Sequence, residues 1–140
     1  MNLYLDTSAL VKLYVQEVHT ADVRRAVAAA EVVATARVAY PEARAALARR
    51  HREGSLGARA YRSAARALDR DLPSLAIIEL TAPLAREAGE LAALRSLRGF
   101  DAIHLASALS MGRLLGAPPR FLAYDTRLVA AAREEGLAAP

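Results

Sequence analysis

The sequence predicts an α/β fold: one parallel sheet of four to five strands with helices on both faces. Three observations predict it. Four short apolar runs, at 3–5, 32–36, 75–80 and 121–124, have the length and the β-branched or aromatic content of buried strands. Stretches of helical periodicity separate them, so successive strands run parallel through helical crossovers. Two of the runs end abruptly in an acid, Asp6 and Asp125, as strands do where a parallel sheet presents polar groups at its carboxyl edge.

Taken in order, Leu3, Tyr4 and Leu5 form the first strand, and Ala9 to Tyr14 continue as a short helix after Asp6, Thr7 and Ser8. Thr20 is placed to cap a helix from Ala21 to about Ala30, with Val23 and Val27 on one face. Val32 to Ala36 is the second strand. Tyr40-Pro41-Glu42 reads as a helix start, with Pro41 at the first helical position and Glu42 where the dipole favours an anion; Gly54 ends that helix. A helix from about Gly57 to Asp71 is two-faced. At about 100° per residue, Arg59, Arg62, Arg66 and Arg70 fall in one stripe, and Tyr61, Ala65, Leu68 and Leu72 lie opposite. Leu75 to Leu80 is the third strand. Pro83 opens a helix carrying Leu84, Ala88, Leu91 and Leu94 at core spacing, and Phe100 to Leu115 is a long helix ended by Pro118-Pro119. Phe121 to Tyr124 is the fourth strand, Thr126 caps a last helix to about Glu135, and Gly136 to Pro140 leaves a stub of a fifth strand.

The 140 residues have the length of one domain, without repeat or low-complexity linker, so the expectation is a single domain over 1–140. Having no cysteine, the chain lacks disulfides and thiolate metal sites, which fits a reducing compartment. It has no apolar run of the roughly 18 residues that a membrane span needs. The reading is a soluble, cytoplasmic protein with no membrane partner. Of its 19 cationic residues 18 are arginine, Lys12 being the only lysine. Between Arg44 and Arg70, eight arginines face two acids, Glu53 and Asp69, so the positive charge is concentrated in one region of a chain whose net charge is +4.

Asp6 and Asp125 at strand ends, with Glu42 and Asp101 in first turns of helices, form a set of four acids that a parallel sheet is able to bring to one edge. Two carboxylates about 4 Å apart repel by about 4 kcal/mol at an effective dielectric of 20. An acidic cluster with no arginine or lysine at its centre therefore predicts a bound cation, and carboxylate oxygens favour the hard ions Mg²⁺ or Mn²⁺ over zinc.

LYLDTSALVKLY, YPEARAAL, GFDAIHLASAL and FLAYDTRL, in this order along the whole chain, together resemble a PIN-domain ribonuclease, most closely the VapC-type toxins of toxin–antitoxin pairs. The resemblance implies a three-layer α/β/α domain and a metal-dependent endoribonuclease using one or two Mg²⁺ or Mn²⁺ ions. By the same resemblance Asp6, Glu42, Asp101 and Asp125 are the catalytic metal-binding quartet, with Asp6 and Asp101 as core ligands. Thr7 or Ser8 supplies a supporting hydroxyl. It also implies a homodimer, an RNA substrate and a small antitoxin that covers the acids. One departure is Ala123, where the family often has threonine or serine two residues before its last aspartate; the hydroxyl of Thr126 is the candidate substitute.

Singly, each acid has an ordinary explanation as a cap or a helix starter; the ordered set with its flanking motifs favours the metal site. His104, one turn after Asp101, is read as a packed helix residue in preference to a catalytic one. His19 and His51 read as surface residues, and Tyr14, Tyr40 and Tyr61 as core or interface. The stripe Arg59, Arg62, Arg66 and Arg70 reads most simply as a solvated helix face and, as the sharper alternative, as a nucleic-acid contact. Competing functions are a related nuclease of RNA maturation or structured DNA, and a non-catalytic nucleic-acid-binding regulator. Retention of four like charges argues against the latter. A phosphatase is disfavoured because DTSAL lacks the second aspartate of an Asp-x-Asp nucleophile motif.

Overall fold

A computed structural model describes residues Met1 to Pro140. Four strands, β1 (Asn2–Leu5), β2 (Val32–Ala36), β3 (Ala76–Ile78) and β4 (Arg120–Leu122), form one wholly parallel sheet in the order β3-β2-β1-β4. Seven helices connect and cover them: α1 (Thr7–Val11), α2 (Thr20–Ala29), α3 (Ala39–Arg52), α4 (Ala58–Asp71), α5 (Ala82–Arg95), α6 (Gly99–Leu115) and α7 (Thr126–Glu134). The chain moves outward from β1 to β3 and then returns to place β4 on the other side of β1. The carboxyl ends of β1 and β4 therefore flank the point where strand order reverses, the position at which open α/β sheets bind ligands.

The period-two alternation of the strands divides the core. Leu3, Leu5 and Leu122 point to one face, where they bury Leu10 of α1, Val23 of α2, Leu47 of α3 and Leu68 of α4. Tyr4, Ala34, Ala36 and Phe121 point to the other, against α5, α6 and α7 through Leu84, Leu105 and Leu128. Helices α1–α4 thus make one layer and α5–α7 the other, the α/β/α arrangement expected. Each fully buried Leu contributes roughly 1.5–3 kcal/mol of transfer free energy. Tyr4 and Phe121, paired across β1 and β4, also stack with ring centroids 5.5 Å apart.

Several local expectations are corrected. Thr20 is not the cap of α2 but its first residue. His19 occupies the cap position with a left-handed φ of 70°, and the Thr20 hydroxyl folds back to donate to Val15 O and to accept from Glu17 N. Helix α3 begins at Ala39, two residues before Pro41, because Val38 and Ala39 already have helical geometry and proline is tolerated anywhere in a first turn. β3 has only three residues, since Leu72–Ser74 turn as a 3₁₀ segment. Leu94 lies on the solvent side of α5, 68% exposed, because at about 100° per residue it is rotated by roughly 60–120° from the buried line of Leu84, Ala88 and Leu91. Asp125, not Thr126, caps α7: its Oδ1 accepts from Leu128 N at 3.0 Å. The fifth strand is a single bridge between Arg120 and Ala138. No helix is long and apolar enough to cross a membrane.

Candidate functional site

Asp6 is the residue at which β1 becomes α1. Its backbone N–H extends the β1–β4 ladder to Leu122 O at 3.0 Å, and its extended ψ lets it cap α1. Oδ1 accepts from Ala9 N at 2.9 Å and from the Ser8 hydroxyl at 2.7 Å. Oδ2 has no protein partner. The residue is only 5% exposed, and this burial raises its carboxyl above the usual aspartate range. The charge of His104 and the bonds from Ser8 and Ala9 pull the other way, and the nearby Asp101 adds to the rise.

Glu42, in the first turn of α3, faces α6. Its Oε1 accepts from the Thr7 hydroxyl at 2.7 Å and from His104 Nε2 at 2.8 Å. Partial burial opposes ionisation here too, but these two bonds, with the charges of His104 and Arg98, outweigh it and hold the carboxyl below its ordinary value. Because the Glu42 oxygen only accepts, His104 Nε2 carries a proton whatever the charge of the ring. The other ring nitrogen, Nδ1, lies 2.8 Å from the Tyr4 hydroxyl. Burial raises the Tyr4 phenol well above its usual value, so the hydroxyl keeps its proton.

Asp101 lies in the first turn of α6 and Asp125 caps α7. Arg98 reaches both: its Nε donates to Asp101 Oδ2 at 3.2 Å, and its Nη2 stands 4.0 Å from Asp125 Oδ2. The four acids line one cavity of about 440 Å³ at the carboxyl edge of the sheet, together with Thr7, Ser8 and His104. The gathering expected from the sequence is present, with one correction: the cluster is not free of cations. Arg98 sits between two of its acids, and Lys12, Arg49 and Arg50 line the same cavity. Glu17, also on the wall, bridges Lys12 and Arg50 with its carboxylate, 3.1 Å from Lys12 Nζ and 2.8 Å from Arg50 Nη2, which leaves this trio with a net charge of +1.

The oxygen-only donors, the unpartnered Oδ2 of a buried Asp6 and the absence of sulfur fit a hard divalent ion. As the side chains stand, no three of the acids and His104 meet around a common point. Arg98 engages Asp101 Oδ2, and Thr7 with His104 engages Glu42 Oε1, so an ion taken up beside Asp101 and Asp125 meets Arg98 as a competitor.

The supporting residues behave differently from one another. Thr7 and Ser8 each hold an acid, Glu42 and Asp6 respectively. Thr126 makes no side-chain hydrogen bond and lines an adjoining hollow with Arg98, Asp101 and Asp125. His104 is packed, 1% exposed, as expected, yet it also contacts Glu42, a role that its helical spacing alone did not favour. Arg59, Arg62 and Arg66 surround a separate shallow hollow on α4. Arg70 pairs with Asp71 at 3.0 Å, and none of the four stripe arginines lines the acidic cavity. For one of the missed residues the sequence carries a signal: Arg49 follows Glu42 by seven positions, a helical-face spacing, whereas Arg98 precedes α6 as its extended cap residue.

The fold and site define an α/β/α protein with an acid-lined cavity at the carboxyl edge of a parallel sheet, beside β1 and β4. The chain belongs to the PIN-domain family, whose family model matches residues 3–137. It is 38% identical over 110 residues to Ribonuclease VapC49 of Mycobacterium tuberculosis, covering 79% of this chain and 76% of that protein. It is 35% identical over 138 residues to Ribonuclease VapC47 of the same species, covering 96% and 92%. Among solved structures, the fold is similar to Mycobacterium tuberculosis VapC20, described as a Sarcin-Ricin loop cleaving toxin. The TM-score is 0.64 at 24% identity over 92% of this chain and 94% of that one. A toxin–antitoxin complex from Klebsiella pneumoniae gives 0.65 at 18% identity, over 91% and 90%.

Proposed function

We propose that this chain is a metal-dependent endoribonuclease, the toxin of a toxin–antitoxin pair, and that Asp6, Glu42, Asp101 and Asp125 hold its ion or ions. The observation that carries this reading is the convergence of four acids from four separate elements on one cavity, maintained although burial penalises the charge of Asp6. Kinship with named VapC ribonucleases supports it. Mg²⁺ or Mn²⁺, when bound, supplies an activated water and stabilises charge on the phosphate and the departing 3′ oxygen.

The chain's own residues prepare the site for that chemistry. Ser8 and Ala9 N fix one oxygen of Asp6 and leave Oδ2 to face the cavity. Thr7 and His104 lock Glu42 as an ionised carboxylate, suited to ligate or to orient a water. Asp101 gives the second core ligand, and Asp125 stands outermost. On this reading RNA enters the cavity, a small antitoxin covers it, the protein works as a homodimer, and its place of action is the cytoplasm.

The test is incubation of the protein, freed of any copurified partner, with a panel of RNAs and DNAs in Mg²⁺, Mn²⁺ or EDTA, beside Asp6→Asn and Asp101→Asn. RNA cleavage that needs the metal and both acids is expected. Cleavage by both variants at the wild-type rate, or none by wild type, would overturn the assignment.

A further inference from the structure

The cavity holds four cationic side chains, and three are spoken for. Lys12 and Arg50 share Glu17, one on each carboxylate oxygen, and Arg98 pairs with Asp101. Arg49 alone has no acid within ion-pair distance and no side-chain hydrogen bond, and it is exposed on the cavity wall. It projects from the same face of α3 as Glu42, seven residues or about two turns further along, so the two Cα atoms are separated by about 10 Å along the helix axis. Between them on that face lies Ala46, which also lines the cavity and whose methyl leaves the passage open.

From this we infer that Arg49 is a substrate-positioning residue that holds an RNA phosphate flanking the scissile one. The inference rests on the ribonuclease reading above and assigns it a direction: the strand runs from the acids along α3 toward Arg49. A guanidinium that reached the acids would pair with one of them, as Arg98 does. Arg49 pairs with none, so its charge serves a group beyond them. On an RNA strand laid in the cavity that group is the neighbouring phosphate, whose planar bidentate recognition suits arginine. A contact to a phosphate that does not react is equally strong before and during cleavage, so it acts on binding and leaves the chemical step alone.

The test compares wild type with Arg49→Gln and Arg49→Lys, and the side chain's exposure means that neither substitution disturbs the core. Fluorescence anisotropy with a labelled single-stranded RNA of mixed sequence, in EDTA, gives affinity as a function of salt. Arg49→Gln is expected to bind roughly two- to fivefold more weakly, and its log–log salt slope to be shallower by about 0.7, the share of one single-strand phosphate. Arg49→Lys restores the slope. With metal, Arg49→Gln raises KM by the same factor and leaves kcat unchanged. An unchanged slope for Arg49→Gln overturns the proposal, as does a fall in kcat without a change in binding. Because binding is read without metal, absence of cleavage by wild type would overturn the ribonuclease reading and still leave the slope to decide Arg49.

Discussion

His104 Nε2 stands 2.8 Å from Glu42 Oε1, and this contact ties α6 to α3 across the acid-lined cavity. The imidazole is itself steadied by the Tyr4 hydroxyl, 2.8 Å from Nδ1, so a strand residue of the core sets the orientation of a carboxylate at the site. Groups that orient ligating carboxylates typically matter 10- to 100-fold for metal affinity or activity.

Replacing His104 by Ala is expected to lower cleavage by about that factor. It also strands the buried Tyr4 hydroxyl at a cost of about 1–3 kcal/mol in urea unfolding, so Tyr4→Phe, which keeps the imidazole, separates the two effects. The pH dependence distinguishes orientation from folding. The carboxyl of Glu42 is held below its ordinary value, so the pair's stabilisation is full above the unfolded glutamate value of about 4.3 and disappears as pH falls through the lower folded value. In His104→Ala that portion of the acid unfolding curve should flatten. If cleavage by His104→Ala equals wild type, the orienting role is wrong.

Asp6 has the opposite sign. Its folded carboxyl titrates above the unfolded value of about 3.9, so ionising it costs stability, and the cost grows as pH rises from the unfolded value through the folded one. An asparagine keeps Oδ1 for Ser8 and Ala9 and removes the charge. Asp6→Asn should therefore abolish cleavage and raise the melting temperature of the metal-free protein at pH 7. Calorimetry with and without EDTA checks it; a lower melting temperature than wild type would contradict the desolvation argument.

Much of this was legible from the chain. The strands β1, β2 and β4 are apolar runs whose alternation decides which residues face which layer, and Asp6, Glu42, Asp101 and Asp125 mark where elements begin or end, which topology then gathers. What was not legible depends on side chains crossing between elements. Arg98 sits in a break before α6 and declares its role only once α7 is placed beside it. Glu17 bridges Lys12 and Arg50 from a loop whose path no periodicity encodes. Helical spacing reads His104 as a packed residue and does not show that its buried imidazole meets Tyr4, Thr7 and Glu42. Leu94 keeps the i+3 spacing but is rotated off the buried line of α5, and the Thr20 hydroxyl finds partners in the preceding turn.

Arg98 competes for Asp101 and Asp125 with any ion the site takes up. The guanidinium is largely exposed, so the pair is worth only about 0.2–1 kcal/mol. Arg98→Ala should accordingly tighten Mn²⁺ binding up to about fivefold in a calorimetric titration, since both the competing contact and a local positive charge are removed. Weaker Mn²⁺ binding by the variant would show that Arg98 supports the ion's shell instead.

The arginine stripe of α4 offers a second place for a polyanion, separate from the acids. Arg59, Arg62, Arg66 and Arg70 are all exposed, and only Arg70 is paired, with Asp71. Since none of them lines the cavity, changing all four to Gln should leave Mn²⁺ binding as it is. RNA affinity should fall across all sequences alike, with a salt slope shallower by about 0.7 for each phosphate no longer neutralised, hence by about 0.7 to 2.8. The size of the change tells how much of the strand the helix follows beyond the cavity. A slope identical to wild type would mean that these arginines only solvate the outer face of an amphipathic helix whose other side, through Ala64 and Leu68, is fixed by the core.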